Sequence, residues 1–356
     1  MAAAYDDGYG NGGAIYHSTN FGATWTSTIA PTNCCWQSIA CSADGARLVA
    51  AAYQDADNNP EHLYASTNSG KTWNAPGTPT NFWSSVCSSA DGTRLAAADS
   101  GDGDGLIYVS TNFGKSWKAT IAPSDFWASI ASSADGKTLV AADSGYGDGL
   151  IYTSTNSGNT WTPNATLVNE WTSVTISADG TKLFAANAGN GDDLIYISTN
   201  SGGTWSPTGA PGNQWVSVTS SADGTQIVAA DSGYGDGLIY TSTNSGVDWT
   251  PTTAPVEYWT SIASSSDGSR LAVMGYPVGI DTWESIPVLT ITATFENLSI
   301  SWEALSSATG FALQANSDLT TTHWIAVTNL PVMTNGLNQV IIPLSAGNQF
   351  YRLKNP

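Results

Sequence analysis

The chain has 356 residues, and its 29 Asp plus Glu against 10 Lys plus Arg leave a net charge of −19. Such a surface repels a phosphate backbone, which argues against nucleic-acid binding, and an anionic membrane surface repels it equally. No apolar run approaches the ~18 residues needed to cross a bilayer, and MAAAYDDG does not read as a secretory leader.

In chain order, the first residues already lie inside a repeat. MAAAY aligns with LVAAD of a later unit, DDGYGNGG with the loop after it, and AIYHST with the strand after that. The full unit is clearest from Trp127 to Glu170, 44 residues, with copies starting at Trp36, Trp83, Trp171, Trp215 and Trp259. An eight-residue box, S-T-N-x-G-x-x-W, begins at Ser18, Ser66, Ser110, Ser154, Ser198 and Ser242, at spacings of 48, 44, 44, 44 and 44. Constant spacing of this kind is repeat architecture. Each unit offers four short strands, as in WASIASS, TLVAAD, LIYTST and TWTPNA, separated by Ala-Asp-Gly, SGYGDG and Asn-Ser-Gly turns. Four strands in about 40–45 residues fit one blade of a β-propeller. A parallel β-helix is the runner-up. The last unit, from Trp259, decays after RLAVMG, with VGIDTWES as a worn third strand. Counting the partial first unit gives seven blades, and sharing strands between the ends gives six.

From about Pro287 the repeat stops, and six strand candidates between LTITATF and QFYRLK predict a small β-sandwich over 287–356, after a propeller over 1–286. This tail resembles immunoglobulin-like and fibronectin type III-like modules. It is also similar to the C-terminal module that follows such repeats in secreted bacterial proteins of verrucomicrobial type.

The box resembles the Asp-box, or BNR, repeat of sialidase-like and sortilin-like propellers, S-x-D-x-G-x-x-W. Here Asn20, Asn68, Asn112, Asn156, Asn200 and Asn244 stand where Asp is usual. Asn forms the same Asx-turn without charge, bonding backbone N–H groups two residues on, and Gly supplies a positive φ. The resemblance implies a structural role for these residues and for Trp25, Trp73, Trp117, Trp161, Trp205 and Trp249. It also raises a sialidase-like activity, which requires an arginine triad. Arg47, Arg94 and Arg270 all follow the Asp-Gly turns instead, at the blade end opposite the acidic loops, where they read as solvated. His17, His62 and His323 are scattered, so neither a metal site nor a Ser-His triad is indicated.

Two loop sets share the other end. One is acidic and includes Asp55, Asp99, Asp102, Asp104, Asp143 and Asp231, with Tyr146 and Tyr234 projecting from it. The other enters each inner strand and carries Phe82, Phe126 and Tyr258, with Asp125, Glu170 and Glu257 among them. Aromatic faces beside carboxylates suit sugar rings. The expected function is therefore a non-catalytic, monomeric extracellular protein that binds a glycan through Phe82, Phe126, Tyr146, Tyr234, Tyr258, Trp127 and Trp259. A protein-binding scaffold is the alternative, and a glycosidase using two loop carboxylates is a third reading. No cofactor is called for, apart from calcium at Asp99, Asp102 and Asp104, although the run is not an EF-hand. Cys34, Cys35, Cys41 and Cys87 match no metal or redox spacing. Cys41 and Cys87 read as buried small residues, and a local disulfide near Cys34 and Cys35 is the alternative.

Overall fold

The structure is a computed structural model. It describes Ala2 to Lys354 except for positions 7–11, 21, 56, 76, 102–103, 146–147, 190–192, 234–236, 277–278, 285–289, 294–296, 304–311, 318–323, 335–336 and 344–348. Two compact units divide the chain, Met1–Trp283 and Glu284–Pro356.

The first unit contains seven antiparallel sheets among the described residues, taken in chain order as blades 1 to 7. Blade 4 is the fullest, with strands Trp127–Ser132, Leu139–Asp143, Gly149–Ser154 and Thr162–Asn169. Blades 3, 5 and 6 repeat it with outer strands of two residues. Blade 2 begins at Cys34–Cys41. Blade 7 consists of Tyr258–Ser264, Arg270–Tyr276 and Gly279–Glu284, so VGIDTWES does form a third strand. Blade 1 consists of Ala2–Asp6, Gly13–His17 and Thr26–Ser27, the counterparts of second, third and fourth strands. Seven blades are what the fold delivers.

A single twisted sheet leaves both faces exposed, and here each face is closed by the next blade. One cluster joins Ala96, Ala98 and Ile107 of blade 3 to Trp127, Ile130, Leu139 and Tyr152 of blade 4. Equivalent clusters form at each interface from blades 1 and 2 through blades 6 and 7. The ring closes where Gly22 of blade 1 packs on the Thr282 side chain of blade 7, as Gly246 of blade 6 packs on Thr208 of blade 5. Trp83, Trp127, Trp171, Trp215 and Trp259 are the largest fully buried side chains. Each of the first four meets the Tyr of its own third strand edge to face, at 5.1–5.6 Å between ring centroids. Burying one indole of ~200 Å² contributes up to about 5 kcal/mol.

Two further series bind the blades. The hydroxyl of Ser38, Ser85, Ser129, Ser173 and Ser217 accepts from the backbone N–H of Val86, Ile130, Val174, Val218 and Ile262 on the next inner strand, each at 3.1 Å. At the Asp-Gly turns the N–H of Ala43, Ala90, Ala134, Ala178 and Ala222 donates to the carbonyl of Ala90, Ala134, Ala178, Ala222 and Ser266 in turn. Arg47 and Arg94 are not solvated turn residues as expected. Arg47 donates to Asp91 O and stacks on Phe113, and Arg94 donates to Ser157 Oγ, so both reach forward to the next blade.

The boxes are all built alike. In the first, Ser18 Oγ donates to Asn20 Oδ1 and accepts from Gly22 N, while Asn20 Oδ1 accepts from Thr24 N at 2.9 Å. The amide therefore bonds the N–H four residues on rather than two, because the turn spans two successive positive-φ residues, as at Ser157 (59°) and Gly158 (81°). The second unit has a four-stranded sheet, built on Asn297–Glu303 and Leu337–Pro343, and a three-stranded sheet around Ala312–Asn316. Ile300, Trp302 and Val340 of the first share a core with Leu313 of the second.

Trp161 packs half-buried against the blade 3–4 core. Trp161→Ala is expected to cost about 3 kcal/mol, at the low end for a tryptophan truncation because the ring is not fully enclosed. Chemical denaturation would check this, and an unchanged midpoint would contradict the packing role.

Candidate functional site

The two loop sets do lie at one end. Gly105 bridges to Asp125 and Gly237 to Glu257, while Ser100 N and Ser144 N donate to Phe82 O and Phe126 O. In blades 3, 4 and 6 the last glycine of the acidic loop, Gly105, Gly149 and Gly237, is forced by close approach. A Cβ on Gly149 would sit 2.0 Å from Asp143 O, so no side chain fits. Its carbonyl then accepts the indole N–H of Trp171 at 3.1 Å. The loop is thus clamped between its own strand and the next blade.

In blades 2 to 7 one residue at or near the end of the second strand pairs with the inner-strand Trp. That position holds Ala52, Asp99, Asp143, Asn187, Asp231 and Gly275 in blades 2 to 7. Asp99, Asp143 and Asp231 are all buried there. Each caps its loop by accepting from the N–H two residues on, at 3.1, 2.9 and 3.0 Å. Two residues before the Trp, the facing positions in blades 3 to 7 are Asn81, Asp125, Asn169, Asn213 and Glu257. Only blade 4 sets an acid at both positions.

Those two acids lie close enough to influence one another. Burial holds the Asp143 carboxyl well above the usual carboxylate range, and the charge and side-chain hydrogen bond of Asp125 raise it further. Two like charges side by side disfavour ionisation of the buried partner, which is Asp143. Burial and the same two acids also raise Tyr152, whose ring stands edge-on to Trp127. Asp99 is pushed up to about 6, again chiefly by burial. A carboxyl that keeps its proton near neutrality at a strand end beside the loop face is equipped for general acid chemistry.

The expected ligand residues separate into three groups. Trp127 and Trp259 are 0% and 1% exposed, and their indole N–H groups donate to Gly105 O and Gly237 O. They are wedges of the interblade core, which corrects their placement in a ligand site. Phe82 and Phe126 are half-buried, Phe82 tilted against Tyr53 at 5.1 Å, and Tyr258 is 43% exposed. Tyr146 and Tyr234 lie outside the described residues, as does Asp102. Among the described residues no group of three acids, histidines or cysteines is placed to hold a metal. Asp99 spends one oxygen on Gly101 N, and its raised affinity for a proton opposes a bare dianionic cage with Asp104.

The four cysteines are free thiols, so the local disulfide does not form. Cys87 is buried as expected, whereas Cys41 is exposed. Cys34 belongs to a cluster that sequence reasoning missed, in which Tyr64 donates to Glu61 Oε2 at 3.1 Å and burial raises the Cys34 thiol to about 12. The signal was the departure of PEHLY in blade 2 from the GLIY of its sister blades. No helix among the described residues is long and apolar enough to cross a membrane.

A BNR-Asp box repeat model matches residues 107–120. A search of the curated proteins finds no match. Among solved structures, the chain is similar to a GH74 xyloglucanase from Xanthomonas campestris, at 15% identity and a TM-score of 0.57 over 82% of this chain. It spans 55% of that enzyme's length. A GH74 enzyme from Niastella koreensis matches at 13% identity and a TM-score of 0.56, over 97% of this chain and 68% of the other. Hydrazine synthase from Kuenenia stuttgartiensis matches at 14% and 0.57, over 76% and 92%. The first unit is a BNR-repeat β-propeller. These neighbours are enzymes, two of them glycoside hydrolases, and they overturn the expectation of a non-catalytic glycan-binding protein.

The carboxyls give stability a defined pH profile. Between about 4 and 6 the folded chain holds a proton on Asp99 that the unfolded chain has released, so stability falls as pH rises. Asp91 and Asp223 behave oppositely. Bonds from Ser89 and Ser221, followed by Thr93 and Thr225, hold them down at about 2, so stability is lost as pH falls below about 4. Thermal melts are expected to peak near pH ~4, and Asp99→Asn is expected to flatten the decline above that. A melting temperature that climbs steadily from pH 4 to 7 would contradict these assignments.

Proposed function

We propose that the propeller is a glycoside hydrolase-like enzyme acting on an uncharged polysaccharide, with Asp143 as the general acid. The carrying observation is the Asp125–Asp143 pair, the one place among the described residues where an acid ending the second strand has an acid two residues before the paired Trp. Glycoside hydrolysis needs a protonated carboxyl to donate to the leaving oxygen, together with a second carboxylate roughly 5–10 Å away. The charge of Asp125 adds to burial in raising the proton affinity of Asp143. Asp104, Glu170 and Glu257 on the same loop face are the choices for the second carboxylate. Phe82, Phe126 and Tyr258 provide aromatic faces for the C–H faces of sugars. A net charge of −19 repels polyanionic glycans and leaves neutral ones as substrates. The GH74 neighbours, one of them a xyloglucanase, support the reading through the fold they share with this chain.

The test is release of reducing ends from xyloglucan, mixed-linkage glucan and cello-oligosaccharides. Asp143→Asn is expected to lower kcat by about 10²–10⁴ without lowering the melting temperature. The rate is expected to fall with rising pH as Asp143 loses its proton. If the wild-type chain cleaves none of these neutral glycans, or if the variant keeps full activity, the proposal fails.

A further inference from the structure

The residue just before each inner-strand Trp sets the chemistry of the loop face blade by blade. Blades 2 to 7 carry Cys35, Phe82, Phe126, Glu170, Gln214 and Tyr258 there. Cys35 is buried, so blade 2 offers no ring from that position. Phe82 and Phe126 stand on neighbouring blades, and polar groups follow on blades 5 and 6. The carboxyl pair of blade 4 therefore has an aromatic flank towards blade 3 and a polar flank towards blade 5. The aromatic flank is held firmly. Ser100 donates to the Phe82 carbonyl from its N at 3.0 Å and its Oγ at 3.1 Å, and Ser144 does the same to Phe126 at 3.0 and 3.2 Å.

Blade 2 extends that flank with a ring from a different place. In blades 3 to 6 the second strand stops at the residue paired with the Trp. In blade 2 it runs on past Ala52 through Tyr53, Gln54 and Asp55. Trp36 pairs with Ala52 and Cys35 with Gln54, which leaves Tyr53 as the extra residue of a β-bulge. A bulge re-aims the side chain it inserts. Here the Tyr53 ring is turned onto Phe82 of blade 3, at 5.1 Å between centroids and a 47° tilt. The hairpin beyond is ordered by a bridge between Gln54 and Pro60, and by the Asp55 carboxylate, which accepts from Asp57 N and Asn59 N at 2.9 and 2.8 Å.

This ring pair is not needed to join the two blades. Val49, Ala51 and Leu63 of blade 2 already meet Trp83 and Val86 of blade 3 in the buried core. Tyr53 and Phe82 are only half-buried, so both keep apolar surface in contact with water. Such surface on a face rich in carboxylates suits a ligand that is apolar on one side and hydroxylated on the other.

We propose that Tyr53 and Phe82 form a stacking subsite for a sugar ring of a neutral polysaccharide, on the blade 2–3 side of the carboxyl pair and away from the linkage that is cleaved. The substrate class rests on the hydrolase reading given above. The C–H face of the sugar packs on the two rings, and the rest of the chain runs past blade 4 towards Glu170 and Gln214, which bond hydroxyls. Binding energy gathered at Tyr53 and Phe82 holds the chain while the reacting linkage lies at Asp143.

The test is calorimetric titration of cellohexaose into the full chain carrying Asp143→Asn, so that binding is read without cleavage. Adding Tyr53→Ala or Phe82→Ala is expected to weaken the affinity about tenfold. Tyr53→Phe is expected to hold it within about twofold, because the ring rather than the hydroxyl makes the contact. With Asp143 intact, Tyr53→Ala is expected to raise KM for cellohexaose more than it lowers kcat. Thermal melts establish that each variant is folded. A folded Tyr53→Ala chain with undiminished affinity would overturn the subsite, and so would a folded Asp143→Asn chain that does not bind cellohexaose. Cleavage is scored separately. A chain that binds cellohexaose through Tyr53 and cleaves nothing would keep the subsite while the hydrolase reading fails.

Discussion

No blade of this protein can bury its own sheet. Alanines and branched residues on the second and third strands present apolar surface on both faces, and only a neighbouring blade removes it from water. The inner-strand Trp is the residue that makes neighbours commensurate. Its ring fills the wedge between two twisted sheets, and its N–H anchors the acidic loop, as Trp171 does at Gly149 and Trp127 at Gly105. One side chain thereby sets both the packing distance between blades and the position of the loop at their common end. The interblade serine and turn bonds satisfy inner-strand N–H groups that the pleated ladder leaves pointing sideways.

The same clamp explains why carboxyls at the loop face are perturbed. A loop pinned by a glycine carbonyl and an indole N–H has little room to rotate an acid into solvent. Asp99 and Asp143 accept one N–H bond each, which lowers a carboxyl's proton affinity, yet burial outweighs that bond in both. At the opposite end the balance reverses. Asp91 and Asp223 face water and accept several donors, so their charge is favoured. One chain thus keeps its acids proton-rich at one end of the blades and ionised at the other, through exposure and donor count alone.

Much of the fold was legible because the repeat averages out local ambiguity. The box, the Asp-Gly turns and the Trp recur at fixed spacing, so each strand was read several times over. The blade count was less legible, since the worn third strand of blade 7 has lost its box. The site was harder still. Asp125 and Asp143 were visible as loop acids, but they are 18 positions apart in the chain, and their proximity emerges only when strand register pairs Asp143 with Trp127, two residues after Asp125. Lining up the residue two before each Trp with the end of each second strand would have exposed the double acid. Arg47 and Arg94 misled for a related reason. A long side chain after a turn looks solvated until the next blade is placed beneath it.

Lys182 occupies the same place as those arginines, and it donates to Asp223 O in the following blade. Gln226 does the same with Asp267 O. Every such tie points from a blade to its successor, and the receiving group is a backbone carbonyl or a serine hydroxyl. The partner's identity hardly matters, since a carbonyl is present in any sequence. A gene segment encoding one blade can therefore be duplicated or lost, and the flanking ties re-form with whichever copy comes next. Copy number in such an array is limited by the angle at which the circle closes rather than by the chemistry of any one junction.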